Sequence, residues 1–367
     1  MSFRSALLMI FSYCVTSHTS VLNAQKNSPA NSDEKVRSGH GSLLFENEDI
    51  LHFRLVGKLN NLFNDRSENM SYHPMLLQYK DKDSSLFSIN IMVKTRGHFR
   101  RLKQNCKMPP LLLNFSKGEK SKSSLFEMQG KLKLVVPCQG DEYIIKEWLA
   151  YKVYNIITDK SFAARLAMVD FEDSLSKRKT ESHYCILLED EDKMAQRNKT
   201  FIWKKKMLNM KDIDSDEFKK MAVFQYMIGN TDWGIPYLQN IVLISRDTTK
   251  AVYAVPYDFD HSGIVDAPYA GPAEELELSS VRERAYRGYC ENDKKAFAKT
   301  FDLFNRLKNE IYNVYTGCTL LKPKYVKTVS NYLDDFYETI NSSKQTETEF
   351  QKPCKTNIRI ELKGLKK

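Results

Sequence analysis

The feature that most restricts the fold of this chain is a change of apolar period near residue 140. Upstream lie short runs, "ILHFRLV" from Ile50, "PMLLQY" from Pro74, "LFSINIMVKT" from Leu86, "PLLLNF" from Pro110 and "KLKLVV" from Lys131. Several alternate apolar with polar residues, which places one face of an extended strand against a core, as in a half-covered antiparallel sheet. At Asp141 the period lengthens: "DEYIIKEWLAYKVYNII" sets Ile144, Trp148, Tyr151 and Val153 at helical spacing, with Asp141 placed as the N-cap. Two more strand-like runs, "RLAMVDF" and "HYCILLE", flank a polar loop, and beyond about Asp190 the pattern is mainly helical, with aromatic stripes at Phe297, Phe301 and Phe304 and at Tyr332 and Phe336. One strand pair, "NIVLI" and "AVYAVP", interrupts that half. The pattern predicts an α+β chain in which a sheet with one inserted helix precedes a helical half. Its 367 residues, 42% hydrophobic, suffice for one large domain or two lobes.

The expected boundaries are a signal peptide over 1–24, a polar leader over 25–45, an N-terminal lobe over 46–190, a helical C-terminal lobe over 191–345 and a tail over 346–367. The start carries Arg4, an apolar stretch from Ala6 to Val15 and small residues before a cut after Ala24. Polar Ser12, Thr16, Ser17 and His18 leave too short an apolar run to cross a bilayer. The mature chain is therefore expected to be exported, without a transmembrane segment. Removing the signal removes Cys14 and leaves Cys106, Cys138, Cys185, Cys290, Cys318 and Cys354, spaced unlike a zinc site; the favoured bridge is Cys106 to Cys138. Sequons occur at Asn69, Asn114, Asn198 and Asn341. Net charge is +10, but acidic and basic residues are interleaved, so the charge reads as a solvated surface and nucleic acid is not an expected partner.

The chemistry concentrates in "GNTDWGIPYLQNIVLI" and "YAVPYDFDHSG", which set Asp232, Asn240, Asp258 and Asp260 beside apolar runs. Two carboxylates about 4 Å apart repel by about 4 kcal/mol at an effective dielectric of about 20, and a divalent cation reverses that sign. Mg²⁺ takes carboxylate and amide oxygens, usually one or two from protein, with phosphate and water supplying the rest. Asn240, Asp258 and Asp260 are thus the candidate metal ligands, and Asp232 is the candidate for orienting an attacking hydroxyl. An Asp, then an Asn, then a strand ending in a second Asp is the order of phosphoryl-transfer sites that use ATP and Mg²⁺.

Phosphate also needs cations. Lys131 and Lys133 share one face of the strand before the helix, with Lys133 favoured and Glu142 or Glu147 as partner on the helix. "VKTRGHFRR" places Arg96 beside Gly97 at a strand end, where guanidinium and backbone can meet phosphate, although no Gly-x-Gly-x-x-Gly loop is present. "VRERAYRGYC" adds Arg282, Arg284 and Arg287 as a candidate surface for an acidic acceptor or phosphate, with a solvated loop as the commoner reading.

Taken in order, "TRGHFRR", "EWLAYKVYNIITDKSFAARLAMVDF", "HYCILLEDEDKMAQR", "FQYMIGNTDW", "QNIVLI" and "VPYDFDHSG" resemble the CotH-type kinases, secreted or spore-coat atypical protein kinases, over roughly 94–288. The resemblance implies a two-lobed, atypical protein-kinase-like fold, with an N-terminal antiparallel sheet with one helix, a mainly helical C-terminal lobe, and ATP between the lobes. It also implies Asp232 as the catalytic-loop Asp, Asn240 and Asp258 as metal ligands, Asp260 as the second Asp of its motif, and Glu189 near adenine. The chain departs from the pattern at "CKMPPLLLNF", which leaves the phosphate-binding lysine open among Lys107, Lys131 and Lys133. Two other classes are weighed: a catalytically inactive binding or adhesion protein of the cell surface, and a two-carboxylate glycoside hydrolase using Asp232 and Asp258 without metal.

Overall fold

A computed structural model describes residues 43–116, 124–204, 208, 210–249, 251–289, 291, 293 and 295–351. The expected signal peptide, nearly all of the leader, most of the tail, and Cys14, Cys290 and Cys354 lie outside the described residues. In chain order the elements are α1 (Leu43–Glu46), β1 (Leu51–Gly57), α2 (Leu59–Asn64), β2 (His73–Lys80), β3 (Leu86–Thr95), β4 (Leu111–Phe115), β5 (Lys131–Val135) and α3 (Asp141–Ile157). They continue through β6 (Ala164–Asp173), β7 (Glu181–Leu188), α4 (Glu191–Arg197), β8 (Phe201–Ile202), α5 (Ser215–Ile228), β9 (Ile241–Ser245) and β10 (Tyr253–Pro256). The helices α6 (Ala298–Arg306), α7 (Lys308–Thr316), α8 (Pro323–Asn341) and α9 (Ser343–Thr346) complete the set.

The expected two-lobed, kinase-like arrangement is not what forms. The first sheet is a closed barrel in the order β1-β2-β3-β4-β5-β7-β6. Its closing seam is the parallel pairing of β1 with β6, Leu51 opposite Ala167 through Gly57 opposite Asp173, while every other seam is antiparallel. Closure gives every strand of this sheet two neighbours, although Leu86–Asn90 of β3 and Glu181–Cys185 of β7 are paired on one side only. The alternation in β1, buried at Leu51, Phe53, Leu55 and Gly57, points one face into the barrel. The interior is filled by side chains such as Leu77, Ile91, Leu113, Leu132, Val169 and Leu187, with Phe126 at ring-centroid distances of 5.1, 5.6 and 6.3 Å from Phe115, Tyr79 and Phe53.

Nor is the helical half a lobe with a core of its own. Val135, Leu166, Ile186 and Leu188, from β5, β6 and β7, belong to the same apolar core as α3, α5, β9, β10 and α6–α8. The alternate residues of those barrel strands, such as Leu134, Ala167 and Leu187, fill the barrel interior. A strand buried on both faces must have a second layer over it, and here α3 supplies it. The small sheet runs β10-β9-β8, all antiparallel. Asp141 is the first helical residue of α3 and not its N-cap; its carboxylate accepts from the Tyr184 amide at 2.9 Å and meets His183 Nδ1 at 2.8 Å. The expected bridge is present between Cys106 and Cys138, whereas Cys185 and Cys318 are free thiols. Among the described residues no helix is long and apolar enough to cross a membrane.

Candidate functional site

Helix α5 delivers the first site residue. Its N-terminus is capped by the Asp214 carboxylate, which accepts from the Glu217 amide at 3.0 Å, and it ends at Gly229 in the left-handed region, φ +66°. A Cβ at Gly229 would lie 2.1 Å from the Tyr332 hydroxyl, so the turn requires glycine. The chain then passes through Asn230, whose side-chain oxygen accepts from the Asp232 amide at 2.9 Å.

Both carboxylate oxygens of Asp232 are held. Gln239 donates its side-chain amide to Oδ1, and Asn240 donates Nδ2 to Oδ2 at 2.9 Å and to the Asp232 main-chain oxygen at 2.8 Å. Asn240 in turn accepts at its main-chain oxygen from the Tyr257 amide, 3.1 Å, which brings β10 and Asp258 to the same place. The Asp258 amide donates to the Tyr151 hydroxyl of α3 at 2.8 Å. Asn240 and Asp258 both have positive φ, 51° and 64°. Left-handed backbone is a cost for residues with a side chain, though least for Asn and Asp, and such conformations cluster at functional sites.

Beneath Asp258 lies a buried charge cluster. Arg100 donates to the Val136 carbonyl and to Asp260 Oδ2, 3.4 Å, and the Tyr269 hydroxyl donates to the same oxygen at 3.0 Å. Glu147, on α3, is 1% exposed and its Oε1 has no hydrogen-bond partner. Burial, then the neighbouring Asp260 and Asp258, push the Glu147 carboxyl well above the usual carboxylate range. Burial and then Asp260 push Asp258 up to about 6, against the pull of Arg100 and Arg96. No described residue donates a hydrogen bond to the Asp258 carboxylate or to the Asn240 side-chain oxygen. Those two oxygen donors are of the hard type that magnesium takes.

The cationic candidates separate. Lys133 Nζ donates to Glu191 Oε1 at 2.7 Å and lies 4.5 Å from the centre of the Tyr257 ring. Burial, then the nearby Arg96, lower its pKa, with Glu191 and Asp258 opposing. Arg96 is half-buried and close enough to act on both Lys133 and Asp258. Lys131 and Lys107 are exposed and form no ion pair among the described residues. The helix partner expected for the lysine is absent, since Glu142 pairs with Lys322 at 3.0 Å and Glu147 is enclosed with Arg100 and the aspartates. Glu189 is committed elsewhere, both oxygens accepting from Arg197 at 2.8 and 3.0 Å, and Oε2 also from the Ala163 amide at 2.8 Å. Arg284 and Arg287 are likewise spent on internal carbonyls, of Met227 and Tyr332 and of Thr231.

Arg100, Gln239, Tyr151 and Glu191 were not singled out by sequence reasoning. Arg100 stood inside the quoted "TRGHFRR" run, but nothing there separated it from Arg96, which is half-buried, or Arg101, which is buried against another segment. Among the described residues no group of three or more His, Cys, Asp and Glu side chains is arranged to hold a metal ion. No family model matches this chain, and no curated protein matches it. The likeness to the CotH-type kinases therefore rests on the motifs alone.

Proposed function

We propose that this chain is an exported, ATP- and Mg²⁺-dependent phosphotransferase, akin in its reaction to the CotH-type kinases, acting on a protein or surface acceptor. The observation that carries the reading is the continuous hydrogen-bonded path from Asp232 through Asn240 to the backbone beside Asp258. It links the three residues that the motif order requires, two of them in left-handed backbone.

In this reading Asp232, fixed by two side-chain amides, orients the acceptor hydroxyl and receives its proton. Asn240 and Asp258 hold magnesium through oxygens that have no other partner, a two-residue donor set that suits a cation completing its shell with phosphate and water. The bound metal would screen charge on the transferred phosphate. Lys133 and Arg96 supply the remaining positive charge, and Arg100 keeps Asp260 and Glu147 from repelling the nucleotide. Placed charge of this kind provides most of the rate in phosphoryl transfer.

A second reading, a surface-binding protein without catalysis, draws support from Asp260. It is already satisfied by Arg100 and Tyr269, and the described residues form no three-member metal cluster. Incubation with γ-labelled ATP and Mg²⁺, beside the Asp258→Ala variant, separates the two. Label transferred by the parent and lost in the variant supports the enzyme. No transfer, and no rise in melting temperature with ATP and Mg²⁺, supports the binder.

A further inference from the structure

The loop between β3 and β4 is built in an unusual way for a surface connection. From Arg96 to Lys107 it contains Arg96, His98, Arg100, Arg101, Lys103 and Lys107 and no acidic residue. It is also firmly held. Arg66 donates to the carbonyls of Arg101, Cys106 and Lys107, Arg101 donates to the Ser67 carbonyl at 2.6 Å, and Cys106 is bonded to Cys138. Asn105 donates to the Phe99 carbonyl at 2.8 Å, closing the loop on itself.

A loop ordered this thoroughly has every means to turn its apolar side chains inward, yet two stay out. Phe99 is 44% exposed and Leu102 41% exposed. The inner edge of Phe99 meets His261 and Tyr269, at ring-centroid distances of 5.6 and 6.1 Å, and Tyr269 bonds Asp260. The outward patch is therefore linked through Tyr269 to buried Asp260, two residues from Asp258. Next to Leu102, Lys103 is exposed and has no ion pair among the described residues, and Lys107 of the same loop is also exposed. Rigid apolar anchors on a loop with exposed lysines match an acidic polypeptide that carries apolar residues: the anchors give short-range contact, the lysines give complementary charge, and the fixed loop reduces the ordering cost of binding.

We propose that the 96–107 loop is the docking surface for an acidic, apolar-bearing polypeptide, presented beside the Asp232–Asp258 centre. As the acceptor's recognition element it rests on the phosphotransferase reading, but its binding can be measured without ATP. The probe is a fluorescent random copolymer of Glu and Tyr, titrated by anisotropy into the oxidised protein, with a Lys–Tyr copolymer and inorganic tripolyphosphate as comparators.

The expected result is saturable binding of the Glu–Tyr copolymer that weakens with salt and falls at least tenfold in both Leu102→Ser and Lys103→Glu. The Lys–Tyr copolymer should not bind, and tripolyphosphate should not compete through this loop. Leu102 and Lys103 are exposed, so unchanged circular dichroism and melting temperature are expected for both variants. Equal affinity in parent and variants overturns the proposal. So does loss in Lys103→Glu alone with tripolyphosphate competing, which marks a general anion surface. If the copolymer binds as stated while γ-labelled ATP gives no transfer, the docking surface stands and the phosphotransferase reading fails.

Discussion

Asn240 donates one side-chain amide to two oxygens of Asp232, the main-chain oxygen at 2.8 Å and carboxylate Oδ2 at 2.9 Å. A single nitrogen thus sets both the position and the rotation of the carboxylate, while the oxygen of the same amide remains free for a cation. Replacing Asn240 by Ala removes both functions and leaves the Asp232 carboxylate held by Gln239 alone. Transfer from γ-labelled ATP is expected to fall about 100-fold, the scale of losing one positioned electrostatic group. Stability should fall by about 2–3 kcal/mol, the scale of a lost hydrogen bond plus the cost of holding alanine in left-handed backbone. A loss of activity below threefold, with unchanged folding, would remove Asn240 from the site.

The carboxyl of Asp258 titrates at about 6 in the folded protein, above its ordinary value. Between the unfolded and folded values the unfolded chain has lost its proton while the folded chain retains it, so stability falls as pH rises through that window. The penalty is absent below the ordinary carboxylate range and complete above about 6. Asp258→Asn, which carries no charge, is therefore expected to be more stable than the parent at pH 7 and equal to it at pH 3.5. Urea denaturation at the two pH values reads this directly. The same variant should lose the rise in melting temperature caused by ATP and Mg²⁺ at pH 7. Equal stability of parent and variant at pH 7 would show that Asp258 is not strained by burial.

Arg100 is the buried cation facing Glu147, Asp258 and Asp260. Arg100→Met leaves those carboxyl groups without it and is expected to cost about 3–5 kcal/mol. Glu147→Gln puts a neutral amide where burial disfavours the charged carboxylate, and should leave stability unchanged or higher. Chemical denaturation of both variants tests the pair; similar losses in each would contradict the described charge arrangement.

The bridge between Cys106 and Cys138 closes a sequence separation of 32 residues. Chain entropy predicts that Cys106→Ser with Cys138→Ser lowers stability by about 3.7 kcal/mol. Melting curves of parent and variant, with and without reductant, should coincide once the parent is reduced. A parent whose melting is indifferent to reductant would exclude the bridge.

Much of the local structure was legible. The run "LFSINIMVKT" coincides with β3 and "DEYIIKEWLAYKVYNII" with α3, because alternation and helical spacing are written in neighbouring residues. Asp232, Asn240 and Asp258 were likewise readable as a motif whose members do come together. The Lys133 partner was not: Glu191 begins a helix far along the chain, and the nearer Glu142 and Glu147 were equally plausible by spacing.

The linear order of residues determined which segments are strands or helices and which side chains carry oxygen donors, whereas the pairing of Cys106 with Cys138 was only favoured until the structure placed the two together. Tertiary structure alone decided that β1 meets β6 in parallel to close a barrel, that Arg100 and Glu147 go inward, and that Phe99 and Leu102 stay out. Apolar period reports that a face is covered but not which distant segment covers it, and burial of a charge depends on partners assembled from several elements at once.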